Sequence, residues 1–177
     1  MRTEPRRDVA DGRLGIRTAG TPVSFERFYD EQFDAMVRVA FFVVGSEEAA
    51  EEVVQDAFMR LYHRWADLDS PGGYLRTTVV NGCRDRLRRR HRFDRRLTTI
   101  AATTATHVVA GADASADRDE LMRALAALPI RTRTALVLRF YGGYTERETA
   151  EAMGVAIGTV KSSVHRGLEQ LRKEIAP

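Results

Sequence analysis

Residues 84–96 hold eight arginines and two aspartates, with His91 among them. Guanidinium groups at that density attract phosphate whatever the base sequence. An Arg-rich helix end running into a solvated tail is the plainer alternative. Just upstream stand Trp65, Tyr74 and Asn81. Flat rings and an amide beside a basic helix suit a splayed or single-stranded base better than an intact duplex. A second polar set lies near the C-terminus, where Thr159, Lys161, Ser162, His165 and Arg166 share one helical face. Small polar and basic groups of this kind fit a groove floor and its phosphates. A third set, Glu47, Glu48, Glu51, Glu52 and Asp56, is acidic. It reads either as a solvated face or as a docking surface for a basic partner.

None of these sets has the spacing of a reaction centre. His63, His91, His107 and His165 are scattered, without metal-ligand spacing. The acids between positions 47 and 56 trail along one helix and lack a converging second set, so they do not read as a magnesium site. Cys83 sits on an apolar helical face and reads as core packing rather than a redox sensor. No catalytic residue, metal or cofactor is expected.

The elements that must position the C-terminal set are legible. Thr145 and Glu148 form a capping box, in which the hydroxyl takes the Glu148 amide and the carboxylate reaches back. Ala150 and Met153 give a short helix its apolar side, and Gly154 ends it where the turn wants positive φ. From about Ile157 a second helix places Val160, Val164, Leu168, Leu171 and Ile175 on one face. The stretch 144–171 therefore reads as a helix-turn-helix with a basic second helix. A solvated helical hairpin is the alternative.

Before it, residues 1–22 are rich in Arg, Gly, Thr and Asp and read as a disordered leader. Ser24 caps a first helix from Phe25 to about Val44, closed by Gly45. Ser46 caps a second, expected to run to about Trp65, with Ala50, Val53, Val54, Ala57, Phe58, Leu61 and Tyr62 facing inward. Residues 67–73 form a turn, and a third helix follows from about Tyr74 with Leu75, Val79, Val80, Cys83 and Leu87 buried. The Thr-, Ala- and Gly-rich stretch 97–116 reads as a flexible linker between two small domains, 23–96 and 117–177. In the second domain, one stripe of Leu121, Leu125 and Leu128 stops at Pro129. Another, of Ile130, Leu136, Val137, Phe140 and Tyr141, stops at Gly142. No strand alternation is seen, and the fold class is all-α.

Composition agrees with a cytoplasmic, soluble protein. The 177 residues are 44% apolar with a net charge of +3, and only Lys161 and Lys173 are lysines. Arginine favours bidentate contacts with phosphate and guanine edges, although a GC-rich genome also enriches it. The single cysteine excludes an internal disulfide. The first twenty residues are too polar for a secretory signal or anchor, and the longest apolar run, 39–44, is far too short to span a bilayer.

The order of these parts resembles the sigma-70 family, specifically the two-domain extracytoplasmic-function sigma factors. "EEAAEEVVQDAFMRLY" (residues 47–62) looks like that family's core-polymerase-binding helix. "YLRTTVVNGCRDRLRRR" (74–90) looks like the helix that melts and reads the −10 promoter element. Residues 127–172 resemble the −35-binding domain, and "GTVKSSVHRG" (158–167) is the most specific string.

The resemblance implies an all-α chain of two domains that binds core RNA polymerase and directs promoter-specific initiation, while the polymerase does the chemistry. By that likeness Glu52, Gln55, Asp56 and Met59 fall at the polymerase contact. Tyr74, Arg76, Asn81, Arg84, Asp85, Arg88 and Arg89 fall at the −10 element, with Asn81 reading an unstacked base. Thr159, Lys161, Ser162, His165 and Arg166 fall in the −35 major groove. Four departures touch this pattern. Tyr74 stands where Trp is frequent, and Ser163 where a long basic side chain is common, which removes a phosphate contact. Gly167 replaces a common Ala at about 1 kcal/mol of helix stability, and Ala156 is a poor N-cap. With no covering domain legible in the chain, control is expected from expression or from an anti-sigma factor seated around residues 53–61. No membrane or small-molecule partner is expected. The competing reading is an autonomous helix-turn-helix regulator that works without polymerase.

Overall fold

The structure, a computed structural model, describes residues 24–98 and 116–175. The leader expected over 1–22, and nearly all of the linker expected over 97–116, lie outside these residues. Every regular element among the described residues is helical: α1 (Phe25–Val44), α2 (Glu47–Tyr62), α3 (Pro71–Thr98), α4 (Ala116–Ala127), α5 (Ile130–Leu136), α6 (Glu146–Met153) and α7 (Ile157–Ile175). The all-α expectation holds.

Local chemistry explains most boundaries. Ser24 and Ser46 accept from the amides of Arg27 and Ala49, each at 3.3 Å, and so satisfy free donors at the starts of α1 and α2. Gly45 and Gly154 close α1 and α6 at φ 77° and 63°, a left-handed conformation in which a Cβ is strained. Two boundaries differ from the sequence reading. α2 stops at Tyr62, and a 3-10 turn over Trp65–Asp67 follows. α3 starts at Pro71 rather than Tyr74, because proline lacks only an N–H that the first helical turn leaves unbonded.

The early stop of α2 is what buries Trp65. The turn swings its indole inward until it is 1% exposed, with the rings of Phe25 and Phe28 each 5.2 Å away. Phe58 joins them, 4.8 Å from Tyr29 and 5.9 Å from Phe33. α1, α2 and α3 close over this aromatic cluster and over Val54, Leu61, Leu75, Val79 and Cys83, all buried. The expected inward side of α3 is thus confirmed. Tyr62, expected inside, is 56% exposed, its ring held only at its edge by Phe25 at 5.0 Å.

The second half is leaner. α4 buries Met122 and Leu125 rather than Leu121, which faces outward. Together with Leu128 and Leu136 they form a small cluster, covered by Val164, Leu168 and Leu171 of α7 and by Phe41 and Phe42 of α1. Beyond Leu136 the chain widens into a π segment, Val137–Tyr141, whose carbonyl at Val137 receives the Gly142 amide at 2.9 Å. The wider turn buries Val137 and Leu138 and leaves Phe140 and Tyr141 exposed, against the sequence expectation for both rings.

The halves share a core and several specific links. Ala135, Val137, Leu138, Ala152 and Met153 belong to the same buried cluster as the first-half helices. Arg133, 8% exposed, donates to the Val43 carbonyl at the end of α1 (2.8 Å) and to those of Ala126 (2.7 Å) and Leu128 (3.3 Å). Burial pulls its pKa down, and the carbonyls supply the polar contacts the cation needs there. Phe42 meets Tyr141 with ring centroids 4.5 Å apart, and the Arg118 guanidinium lies 5.1 Å from the Phe41 ring.

Candidate nucleic-acid interface

α3 carries its polar side chains on two faces, separated by helical spacing. Asn81, Asp85 and Arg89 line a groove between α3 and α2, whose other wall is Glu52, Asp56 and Arg60. The base-reading candidate and the acidic candidates for polymerase contact therefore share one depression. Within it Asn81 Oδ1 accepts from Arg84 at 2.7 Å, which fixes the amide's orientation. Glu52 pairs with Arg86 at 2.6 Å, so one of the expected docking acids is partly satisfied inside the chain. Gln55, Asp56 and Met59 are exposed on α2, and Met59 has 63% of its surface free. Val53, Val54, Ala57, Phe58 and Leu61 are buried, so the apolar part of that surface is Met59 with Tyr62.

The other face holds Arg76, Val80, Arg84 and Arg88, each four residues from the last. It turns toward the second half. Arg76 reaches α6, its guanidinium 3.5 Å from Glu148 Oε1 and 4.8 Å from the centre of the Tyr144 ring. Val80, Arg84 and Arg88 line a crevice of about 190 Å³ with Ile130, Arg131, Thr134 and Met153. Among the described residues none of Arg84, Arg88 and Arg131 has a carboxylate partner, and Arg84 Nε is buried without a hydrogen bond. The steps of four were visible in the sequence; the second half as their neighbour was not.

Two aromatic candidates separate. Tyr74 is half-buried at the start of α3 with Arg64 5.5 Å from its ring centre. Trp65 lies in the core, so it is not available to stack on a base, a correction to its grouping with Tyr74 and Asn81.

In the helix-turn-helix, Glu148 Oε2 accepts from the Thr145 amide (2.9 Å) and hydroxyl (2.7 Å), and the Glu148 amide returns to Thr145 Oγ1 at 3.2 Å. The expected capping box is complete. These bonds, with the Thr145 amide first, hold the Glu148 carboxyl below its usual pKa. One carboxylate thus caps α6 with one oxygen and faces Arg76 with the other.

α7 buries Val160 and presents Lys161, Ser162, His165 and Arg166 to solvent, with Thr159 half-buried beside them. Their contacts are short-range. Lys161 lies 3.5 Å from Glu146, His165 3.5 Å from Glu169, and Arg166 Nε donates to the Ser162 carbonyl at 3.2 Å. Two sequence inferences change here. Ser163 is 1% exposed and faces inward, so its small size serves packing and no phosphate contact is lost there. Gly167 is buried, and a Cβ on it would come within 2.6 Å of Leu136 Cδ1 and 2.7 Å of Thr132 Cγ2. The glycine lets α7 lie close on α5, and replacing it by alanine would clash.

Cys83 is buried on the inward side of α3, and burial pushes its thiol up to about 12. A thiol that stays protonated is a poor nucleophile. Among the described residues no His, Cys, Asp and Glu side chains gather as a metal set, and no helix is long and apolar enough to cross a membrane.

This architecture, a three-helix unit with an arginine-rich third helix followed by a supported helix-turn-helix, matches known proteins throughout. Residues 28–93 match Sigma-70 region 2, and residues 118–171 match Sigma-70, region 4. The RNA polymerase sigma-E factor of Streptomyces avermitilis is 33% identical over 159 residues, covering 88% of this chain and 87% of that protein. The ECF RNA polymerase sigma factor SigM of Mycobacterium tuberculosis is 30% identical over 165 residues, covering 90% and 81%. Among solved structures, the co-crystal structure of the sigma factor RpoE with the anti-sigma factor NepR from Bartonella quintana aligns with a TM-score of 0.69 at 23% identity, covering 85% of this chain and 96% of that one. The structure of CnrH with the cytosolic domain of CnrY aligns with a TM-score of 0.61 at 21% identity, covering 84% and 85%. The chain belongs to the sigma-70 family.

Proposed function

We propose that this protein is an extracytoplasmic-function sigma factor: it binds core RNA polymerase in the cytoplasm and directs it to promoters through their −10 and −35 elements. It catalyses no reaction itself. The observation that carries the reading is that region 2 and region 4 both match, in that order, on helices presenting an acidic side and two polar faces. An autonomous helix-turn-helix regulator would have no use for the region 2 half. In this reading residues 23–96 and 117–177 act as the two domains and 97–116 as their linker. Glu52, Gln55, Asp56 and Met59 meet the polymerase. Tyr74 and Asn81 meet the opened −10 strand, with Asp85 beside them and Arg76, Arg84, Arg88 and Arg89 on its backbone. The exposed polar face of α7 enters the −35 groove, where each phosphate contact adds to the salt dependence of binding.

The solved relative held by NepR supports a further partner of the same kind here, an anti-sigma factor seated on the exposed Met59 and Tyr62 and the neighbouring acids. Run-off transcription with purified core polymerase and genomic promoter fragments tests the main proposal. Discrete transcripts that appear only when this protein is added are expected; promoter binding without any support of transcription would overturn it. Asp56→Arg sets like charge against a basic docking surface and is expected to weaken core binding by about tenfold or more. The full chain's affinity for a −35 duplex should not change, and an equal loss in both assays would remove Asp56 from the polymerase contact.

A further inference from the structure

The crevice of about 190 Å³ between α3 and α5 has the composition of an anion site. Arg84, Arg88 and Arg131 line it with Val80, Ile130, Thr134 and Met153. α3 supplies two of the guanidinium groups, one helical turn apart, and α5 supplies the third. Among the described residues no carboxylate pairs with any of the three. The one hydroxyl in the lining, on Thr134, already donates to the Ile130 carbonyl at 2.8 Å. Arg84 Nη2 donates to Asn81 Oδ1 at 2.7 Å, but Arg84 Nε is buried with no acceptor. A buried donor without a partner costs stability, and like charges gathered beside apolar walls repel. Both costs are relieved when an anion rich in acceptor oxygens enters.

We propose that this crevice binds a diphosphate group, free or as the end of a nucleotide. Charge and size decide the class. One phosphate group brings a charge of about −2 at neutral pH, which leaves a guanidinium unmatched, whereas two linked phosphates suit all three. Guanidinium forks also grip phosphate oxygens two at a time. A pocket that encloses a whole drug-sized ligand measures about 300–1,000 Å³. The smaller crevice therefore takes the phosphates of a nucleotide and leaves its base outside, so little base preference follows. Because both α3 and α5 contribute, the bound anion stabilises the folded chain by mass action. The site stands whatever the chain does in transcription. One consequence alone rests on the sigma reading: Arg84 and Arg88 meet the −10 backbone there, so a bound diphosphate competes with that strand.

The test is isothermal titration calorimetry on the full chain, without magnesium and at one fixed ionic strength that screens surface attraction. The probes are sodium pyrophosphate, GDP, ADP and sodium sulfate. Pyrophosphate is expected to bind one to one and clearly more tightly than sulfate, and GDP and ADP should match each other. Nucleotides that bind more tightly than pyrophosphate identify a nucleotide as the source, and the reverse order identifies free diphosphate. Arg131→Ala, at an exposed position given no DNA contact, should weaken pyrophosphate binding about tenfold, the scale of one charge-assisted hydrogen bond. Arg123→Ala removes an exposed arginine of α4 outside the crevice and should leave binding unchanged. Sulfate that binds as tightly as pyrophosphate, equal losses in the two variants, or no saturable binding overturns the proposal. Run-off transcription by the wild-type sample separates the two ideas. Transcripts without pyrophosphate binding reject the diphosphate site alone, whereas binding without transcripts rejects the sigma reading and keeps the site.

Discussion

The two halves build their interiors from different materials. The first half packs Trp65 against Phe25 edge to face and against Phe28 at a tilt, with Phe58 edge-on to Phe25 beside them. The second half gathers Met122, Leu125, Leu128 and Leu136 into a small separate cluster, completes its cover with Phe41 and Phe42 from α1, and sends Ala135, Val137, Leu138, Ala152 and Met153 into the ring-built core. Each core takes side chains from both halves, the first built around rings and the smaller second one borrowing its cover from α1. A frame that reads a base must be stiff, whereas a module that docks on a duplex and on its own partner half gains from being separable.

The largest effect should come from breaking the ring-built core. Trp65→Ala removes the centre of the ring cluster and is expected to destabilise the protein by about 3–5 kcal/mol, read from denaturant unfolding. A loss below about 1 kcal/mol would mean that the cluster is not what holds the first half.

Gly167→Ala attacks the borrowed core instead. Alanine gains about 1 kcal/mol in helix propensity, but overpacking against Leu136 and Thr132 should cost about 1–3 kcal/mol. Net destabilisation confined to hydrogen-exchange protection of α5 and α7, with weaker −35 duplex binding, is the expected result. Stabilisation would show that α7 can shift on α5 without loss.

Asn81→Ala sharpens the contrast on the functional side. On a stiff frame the loss should stay at one promoter position, about 1–3 kcal/mol there, while Arg89→Ala weakens all −10 variants alike and flattens the salt dependence. Equal losses for Asn81→Ala across every −10 variant would remove it from base reading. The smallest effect is chemical. Cys83 should resist iodoacetamide in the native protein at pH 8 and react on unfolding, since burial shields its thiol and pushes its pKa up to about 12. Rapid native labelling would show that the first-half core opens far more easily than its ring cluster suggests.

Much of this was legible along the chain because its causes are local. Ser24, Ser46, Thr145 with Glu148, Gly45 and Gly154 act within one turn of the backbone they control, and the buried stripe of α3 follows from spacing alone. What stayed hidden depends on contacts made at a distance. Trp65 looked like an exposed ring because nothing nearby in sequence shows a turn folding it under Phe25. Ser163 and Gly167 looked like defects in a DNA-facing helix until burial of the first and the close approach of α5 to the second gave their small size a use. The arginine face of α3 read only as an attractor of phosphate or a solvated helix end, since Glu148, which pairs with Arg76, lies seventy-two positions further on. For the site residues, the sequence marked which side chains lie on which helix face; it could not divide α3 into a covered side and an open one.

The π segment at Val137–Tyr141 has a geometric consequence. A turn closed by the Val137–Gly142 bond accommodates about one residue more than an α-turn, and each residue advances a helix by about 100°. The segment therefore acts as a phase shifter between the shelf made by α5 and the helices that follow. It points Tyr141 at Phe42 while Arg139 donates back to the Tyr144 carbonyl, fixing the chain's exit direction. Removing one residue there would leave every later side chain chemically unchanged and aim the exposed polar face of α7 along a different bearing.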